Sequence, residues 1–229
     1  MNKIFFFIKK ILIKILSHFI NPIQSIKLDI RSIFFIYSKY VILKKYKINF
    51  KINKYLHEPD YLDLLNLINL MKKLKPRYVL ELGGGYSTLV LTHSAMLLKK
   101  DLNIDCLVIS VDQSKKYLEI NKNIIPQNLA PFVKFEYREL EVVEFKGHKI
   151  SVFKNHPIYD YELLYEDRHD HEETKIAGDA IFLEKKTNFM SICVDGMQAT
   201  TLFYKNNLEK KYRISNSFLH GTNIIIRKN

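Results

Sequence analysis

The pattern of apolar and polar positions is clearest from His57 onward. Tyr61, Leu64, Leu65, Ile68 and Met71 recur at helical spacing on one face. Pro59 suits the first turn of that helix, Lys72, Lys73 and Lys75 suit its negative end, and Pro76 stops it. Tyr78 to Leu82 then forms a nearly continuous apolar run, the mark of a strand covered on both faces. A helix opens at Tyr86-Ser87-Thr88 and continues through Leu89, Val90, Met96 and Leu97. Further strands are expected at Cys106 to Val111, Phe132 to Tyr137, Phe189 to Val194, Tyr212 to Phe218 and Thr222 to Arg227. Helices are expected at Lys115 to Asn123 and Ala199 to Lys210. Val142 to Phe145 and Lys149 to Phe153, joined through Gly147, read as an added hairpin. Strands and helices in this alternation make one α/β domain.

Upstream the pattern changes. Ile4 to Ile20 is dominated by Ile, Leu and Phe but is interrupted by Lys9, Lys10 and Lys14 and ends at Pro22. On a helical projection Lys3, Lys10, Lys14, Ser17 and Asn21 fall within about 60° of arc, leaving a broad apolar face. Twelve apolar residues favour membrane insertion by about 6 kcal/mol and three lysines oppose it by about 9, so spanning is disfavoured. Broken by lysines and followed by no small-residue cleavage site, the segment does not read as a secretory signal. Such a helix lies flat on an anionic membrane surface, or packs its apolar face on its own domain or a second subunit. A second periodic run, at Ile26, Ile30, Ile33, Phe34, Tyr37 and Val41, either extends this arm or covers the core. Residues 1–50 thus read as a basic amphipathic helical arm and residues 51–229 as the α/β domain.

Charge sharpens that division. Of a net +12, residues 1–50 carry nine lysines and Arg31 against Asp29 alone, leaving +3 for the other 179 residues. The basic balance therefore describes the arm, and nucleic acid is a less favoured partner than a membrane. An RNA-modifying enzyme tethered by the arm remains the reading against it. Cys106 and Cys193 each sit in an apolar run, which suits reduced thiols in a cytoplasmic protein, peripheral on the inner membrane face through its arm.

The candidate chemistry lies at Glu81-Leu82-Gly83-Gly84-Gly85-Tyr86-Ser87-Thr88. An acid inside a buried strand is costly without a partner, so Glu81 implies one at the strand's carboxyl end. Three of the seven glycines follow at once, which implies a turn that something approaches closely or that packing crowds. Thr88 stands where a dinucleotide turn would place its last glycine. Asp112 ends the next strand, 27 residues after Gly85, where an acid can accept hydrogen bonds from both ribose hydroxyls or cap the following helix; Ser114 suits that cap equally.

These residues resemble the first motif of class I S-adenosylmethionine-dependent methyltransferases, in which a strand ending in an acid runs into a Gly-x-Gly turn. The resemblance implies a Rossmann-like, mostly parallel sheet with helices on both faces and S-adenosylmethionine as cofactor. It also implies that Gly83, Gly84 and Gly85, with Tyr86, Ser87 and Thr88, hold the cofactor, while Glu81 helps receive its ammonium group. Asp112 would bind the ribose and Gln113 would lie near the adenine. The family's usual third glycine is replaced by Ser87. Fewer strands are expected after Val194 than the family core has, a shortened C-terminal half.

Asp195, at the end of the Phe189 to Val194 strand, is the candidate catalytic residue: it positions or deprotonates an acceptor hydroxyl, or instead caps the next helix. Asp160 to Glu173, with His169 and His171, lacks the spacing of a metal site and reads as a solvated loop. His156 and His220 are further bases without a motif. The expected activity is methyl transfer to an oxygen of a sugar, glycan or lipid-linked small acceptor. A cofactor-binding protein of the same fold without turnover is its rival.

Overall fold

The computed structural model describes residues 23–227, except 49, 51–53, 169–171, 209–211 and 217–222. The helix expected at Ile4 to Ile20, with its proposed membrane contact, and the candidate base His220 lie outside the described residues. Helix α1 (Ile23–Tyr40) runs into one turn of π-helix (Val41–Lys45). Helix α2 (Tyr61–Leu74) starts where the Asp60 carboxylate accepts from the amides of Leu62 (2.9 Å) and Asp63 (3.4 Å). Pro59 therefore stands just outside the helix rather than in its first turn. Lys75 closes it in the left-handed conformation (φ +52°), ahead of Pro76.

The alternating core follows: β1 (Tyr78–Leu82), α3 (Tyr86–Leu102), β2 (Leu107–Asp112), α4 (Lys115–Ile124) and β3 (Val133–Tyr137). Next come the hairpin strands β4 (Leu140–Phe145) and β5 (His148–Phe153), then β6 (Leu163–Glu166), α5 (Asp179–Leu183), β7 (Ser191–Val194), α6 (Gln198–Asn207), β8 (Tyr212–Asn216) and β9 (Asn223–Arg227). Lys146 and Gly147 both take positive φ at the hairpin tip, the twist that a two-residue turn between paired strands requires.

Seven strands form one sheet in the order β3-β2-β1-β6-β7-β9-β8, parallel except for β9. The chain moves from β1 outward through β2 and β3, then returns to the other side of β1 with β6. That reversal opens a crevice at the carboxyl ends of β1 and its neighbours, where open α/β sheets hold ligands.

Side-chain alternation divides the core. Leu80, Leu82, Ile109, Val111, Leu164, Ile192 and Val194 pack with the hairpin, α5 and α6. Val79, Val108, Leu163, Tyr165 and Cys193 face the other way, toward α2 and α3. A third cluster joins Val41, Ile42, Tyr46 and Ile48 to Leu64, Ile68, Tyr86, Leu89 and Val90, so packing of the α/β body reaches back to Val41. The periodic run around α1 therefore divides: Val41 covers the core, while Tyr37 is 41% exposed.

A strand that the sequence pattern did not reveal is β6, inside the stretch that reads as an acidic loop, and Tyr161, Leu163, Leu164 and Tyr165 are all buried there. The acids around a four-residue strand mask its pattern. After α6 the described residues hold two strands, β8 and β9, as expected for a shortened C-terminal half, and α5 and β7 before it are short, at five and four residues.

Candidate functional site

Glu81 alternates with Leu80 and Leu82 and so turns toward α3, fully buried. The Ser87 hydroxyl donates to its Oε1 (2.7 Å) and the Thr88 hydroxyl to its Oε2 (2.6 Å). Thr88 Oγ1 also accepts from the Gly85 amide (3.1 Å), so one carboxylate ties the strand, the turn and the first turn of α3 together. Burial pushes the Glu81 carboxyl up to about 7, against the lowering effect of the hydroxyls of Ser110, Thr88 and Ser87.

The three glycines are there for different reasons. Gly83 has φ +83°, and a Cβ on it would overlap the carbonyl oxygen of Asp167 on the neighbouring chain segment. A Cβ on Gly84 would run into the buried side-chain amide of Asn121. Gly85 has extended backbone, and a Cβ there would meet nothing within 4 Å. Neither backbone strain nor protein packing calls for glycine at this third position; a Cβ would project into open space.

That space belongs to a cavity of about 300 Å³ whose wall includes Gly83, Gly84, Gly85, Tyr86, Ser87, Asp112, Gln113 and Asp195. Of the residues singled out in the sequence, Glu81 and Thr88 do not reach it; they hold the turn from behind. The resemblance implied an oxygen of Glu81 facing the cofactor's ammonium group; the structure instead encloses both oxygens and bonds them to Ser87 and Thr88.

Asp112 emerges at the tip of β2. Its Oδ1 accepts from the Ser114 amide (2.7 Å) and its Oδ2 lies 3.5 Å from the Gly84 amide. The cap position of α4 is taken by Ser114, which accepts from the Tyr117 amide (3.3 Å). The cap position of α6 is likewise taken, by Met197, and Asp195 instead accepts from the buried Tyr165 hydroxyl (3.0 Å).

The remaining wall was not legible as a site. Asp63 at the start of α2, Tyr165 in β6 and Asp167 just after it meet Asp195 and Asp112 across the cavity, with Glu58 and Asp60 nearby. Confinement raises the Asp167 carboxyl well above the usual range, and the charges of Asp195, Glu81 and Asp63 add to it. Among the described residues the one guanidinium in the wall, that of Arg168, is turned inward, its Nη2 2.7 Å from Asp179 and its Nε 3.4 Å from Glu166. The cavity is therefore acid-lined and complements a cation. A strand such as Leu163–Glu166 followed by an acid was the available signal for Asp167, obscured by the surrounding charges.

Behind this wall the Arg168 network fastens the hairpin to the sheet. Arg168 Nη2 also donates to the Ser151 carbonyl (2.7 Å), the Phe153 amide donates to Asp179 (2.8 Å), and the Tyr204 hydroxyl donates to Glu166 (2.7 Å). Burial raises the Glu166 carboxyl to about 7, whereas Asp179, although equally buried, is held below its usual value by Arg168 and by the His156 and Phe153 hydrogen bonds. His156 is thus engaged with Asp179 and stands outside the cavity wall. Among the described residues no group of three or more His, Cys, Asp or Glu is arranged to hold a metal ion.

No family model matches the chain, and no curated protein matches it in sequence. Solved structures do match it. The SAH-bound methyltransferase PaMTH1 of Podospora anserina superposes with a TM-score of 0.52 at 12% identity, over 87% of this chain and 88% of that one. The METTL16 methyltransferase domain gives 0.54 at 11% identity, over 86% and 96%. Precorrin-6y C5,15-methyltransferase of Geobacter metallireducens gives 0.50 at 11% identity, over 79% and 95%. Identities this low speak for architecture alone, and on that evidence the chain has the class I methyltransferase fold, Rossmann-like and mostly parallel.

Proposed function

We propose that the protein is an S-adenosylmethionine-dependent methyltransferase. The observation that carries this reading is Gly85: a glycine demanded by neither backbone nor packing, opening on an acid-lined cavity at the switch point of the sheet. S-adenosylmethionine supplies a sulfonium-bound methyl group and carries positive charge, which suits such a wall.

The turn Gly83–Gly85, with Tyr86 and Ser87, offers backbone against the cofactor; Glu81 and Thr88 keep that turn in place. Asp112 accepts the ribose hydroxyls and Gln113 borders the adenine. Asp63 and Asp167 take the ammonium role. Asp195, oriented by Tyr165, is the candidate base that receives the acceptor's proton. Alignment of acceptor and methyl group then does most of the catalytic work. The acceptor is proposed to be an oxygen of a sugar, glycan or lipid-linked molecule at the inner membrane face; the basic, apolar sequence of the first 21 residues supports it.

Titration calorimetry with S-adenosylmethionine, its demethylated product and NAD tests the assignment. The first two should bind and NAD should not, and Asp112→Ala should weaken binding by about 1–3 kcal/mol. Preference for NAD, or an unaltered affinity in Asp112→Ala, would overturn it. Binding without methyl transfer to any hydroxylated acceptor would favour the non-catalytic alternative.

A further inference from the structure

Between Ser32 and Tyr40, helix α1 presents apolar residues the wrong way round for a helix that only packs on its own domain. Ser38 is fully buried, its hydroxyl donating to the Phe34 carbonyl (2.8 Å), while Ile36 is 67% exposed, Tyr40 50% and Tyr37 41%. With the half-buried Ile33 these residues stand at i, i+3, i+4 and i+7, a continuous stripe on the outer face of α1. The opposite face is anchored: Phe35 meets the Tyr61 ring edge-on at 5.5 Å, and Phe50 links Tyr61 to Tyr86 in the cavity wall through two further edge contacts of 5.5 and 5.2 Å. Ring contacts thus join the helix that carries the stripe to the wall of the site.

The chain around it is strongly basic. Among the charged residues from Lys27 to Lys54 only Asp29 is acidic. Lys44, Lys45 and Lys47 are exposed at its C-terminal end, Lys44 following Tyr40 at about the spacing of one π-helical turn, while the Lys39 ammonium lies on the anchored face, 5.3 Å from the centre of the Tyr61 ring. An apolar stripe carrying two tyrosines and edged by lysines matches the boundary of an anionic bilayer, where acyl chains meet the ring bodies, headgroups meet the hydroxyls and lipid phosphates meet the ammonium groups.

We infer that the outer face of α1, centred on Ile36, Tyr37 and Tyr40, is a docking surface for an anionic membrane, which sets the cavity mouth beside the lipid headgroups. No helix among the described residues is long and apolar enough to cross a membrane, so the contact is interfacial. This inference stands on the exposed face and does not require the cofactor assignment.

Flotation of the full chain with phosphatidylcholine vesicles, with and without about one-third phosphatidylglycerol, tests it together with the full-length variant Ile36→Glu/Tyr40→Glu. The unaltered protein should bind the anionic vesicles at least tenfold more tightly than the neutral ones and be released by 0.5 M salt, an ionic strength at which screening is strong. The variant should lose at least tenfold of that binding while keeping its melting temperature and its calorimetric response to S-adenosylmethionine. Equal flotation of variant and parent would overturn the inference, since residues 1–22 alone would then suffice. A change from dimer to monomer in the variant by light scattering, without vesicle preference in the parent, would instead identify a second copy as the occupant and also overturn it. A variant that neither floats nor keeps its melting temperature is replaced by Lys44→Glu/Lys45→Glu, whose undiminished binding would count against the proposal equally.

Discussion

At the scale of single residues, three neighbouring glycines answer to three different constraints, which substitutions separate. Gly85→Val should leave the melting temperature unchanged and lower cofactor affinity at least tenfold by calorimetry, because the added side chain fills only open space. Gly84→Ala should behave oppositely, losing about 1–3 kcal/mol in urea unfolding as its methyl group meets Asn121. Glu81 makes a pH-dependent prediction. Its carboxyl rises from about 4.5 to about 7 on folding, so the stability it contributes is complete below pH 4.5 and lost as pH climbs through 7. Glu81→Gln, which removes the buried charge, should therefore raise the unfolding free energy in urea at pH 8 by an amount on the order of 3 kcal/mol at most, and leave it unchanged at pH 4.5. An equal effect at both pH values would show that the hydroxyl bonds, and not ionisation, govern this position. The glycine cluster and the misplaced acid are legible in the sequence because each violates its local pattern. Which glycine faces packing and which faces a cavity is not, because the deciding neighbours, Asp167 and Asn121, are remote in the chain.

At the scale of elements, β6 and the hairpin show where pattern reading stops. The hairpin announces itself through alternation and Gly147, whereas β6 is four residues long and set among acids. It becomes a central strand only because β1 lends it an edge. Its charged end is made tolerable by Arg168, which lies between Glu166 and Asp179 with 1% of its side chain exposed. Removing that guanidinium leaves two carboxylates buried together, so Arg168→Leu should cost about 3–5 kcal/mol in urea unfolding, and adding Asp179→Asn should restore part of the loss. A cost below about 1 kcal/mol would mean that the network ties the hairpin down only weakly.

At the scale of the whole molecule, the sheet is closed on one side by the antiparallel pair β8 and β9, with β9 laid along β7 over Ser191 to Val194. A chain ending at Leu208 should lose cooperative unfolding and collect in the insoluble fraction, because it would leave the edge of a buried strand unpaired. The sequence by itself determined the alternation of helices and strands, the strand–turn–helix at Tyr78 to Leu102 and the acid at the tip of β2, since each depends on periodicity or spacing within a short stretch. Only the tertiary structure decided that Glu81 is sealed beneath α3, that Asp63, Tyr165 and Asp167 join Asp112 and Asp195 around one cavity, and that Ile36 and Tyr40 face outward. The reason is physical: a strand order that reverses at β1 gathers the ends of segments far apart in the chain, and no local pattern records which ends will meet.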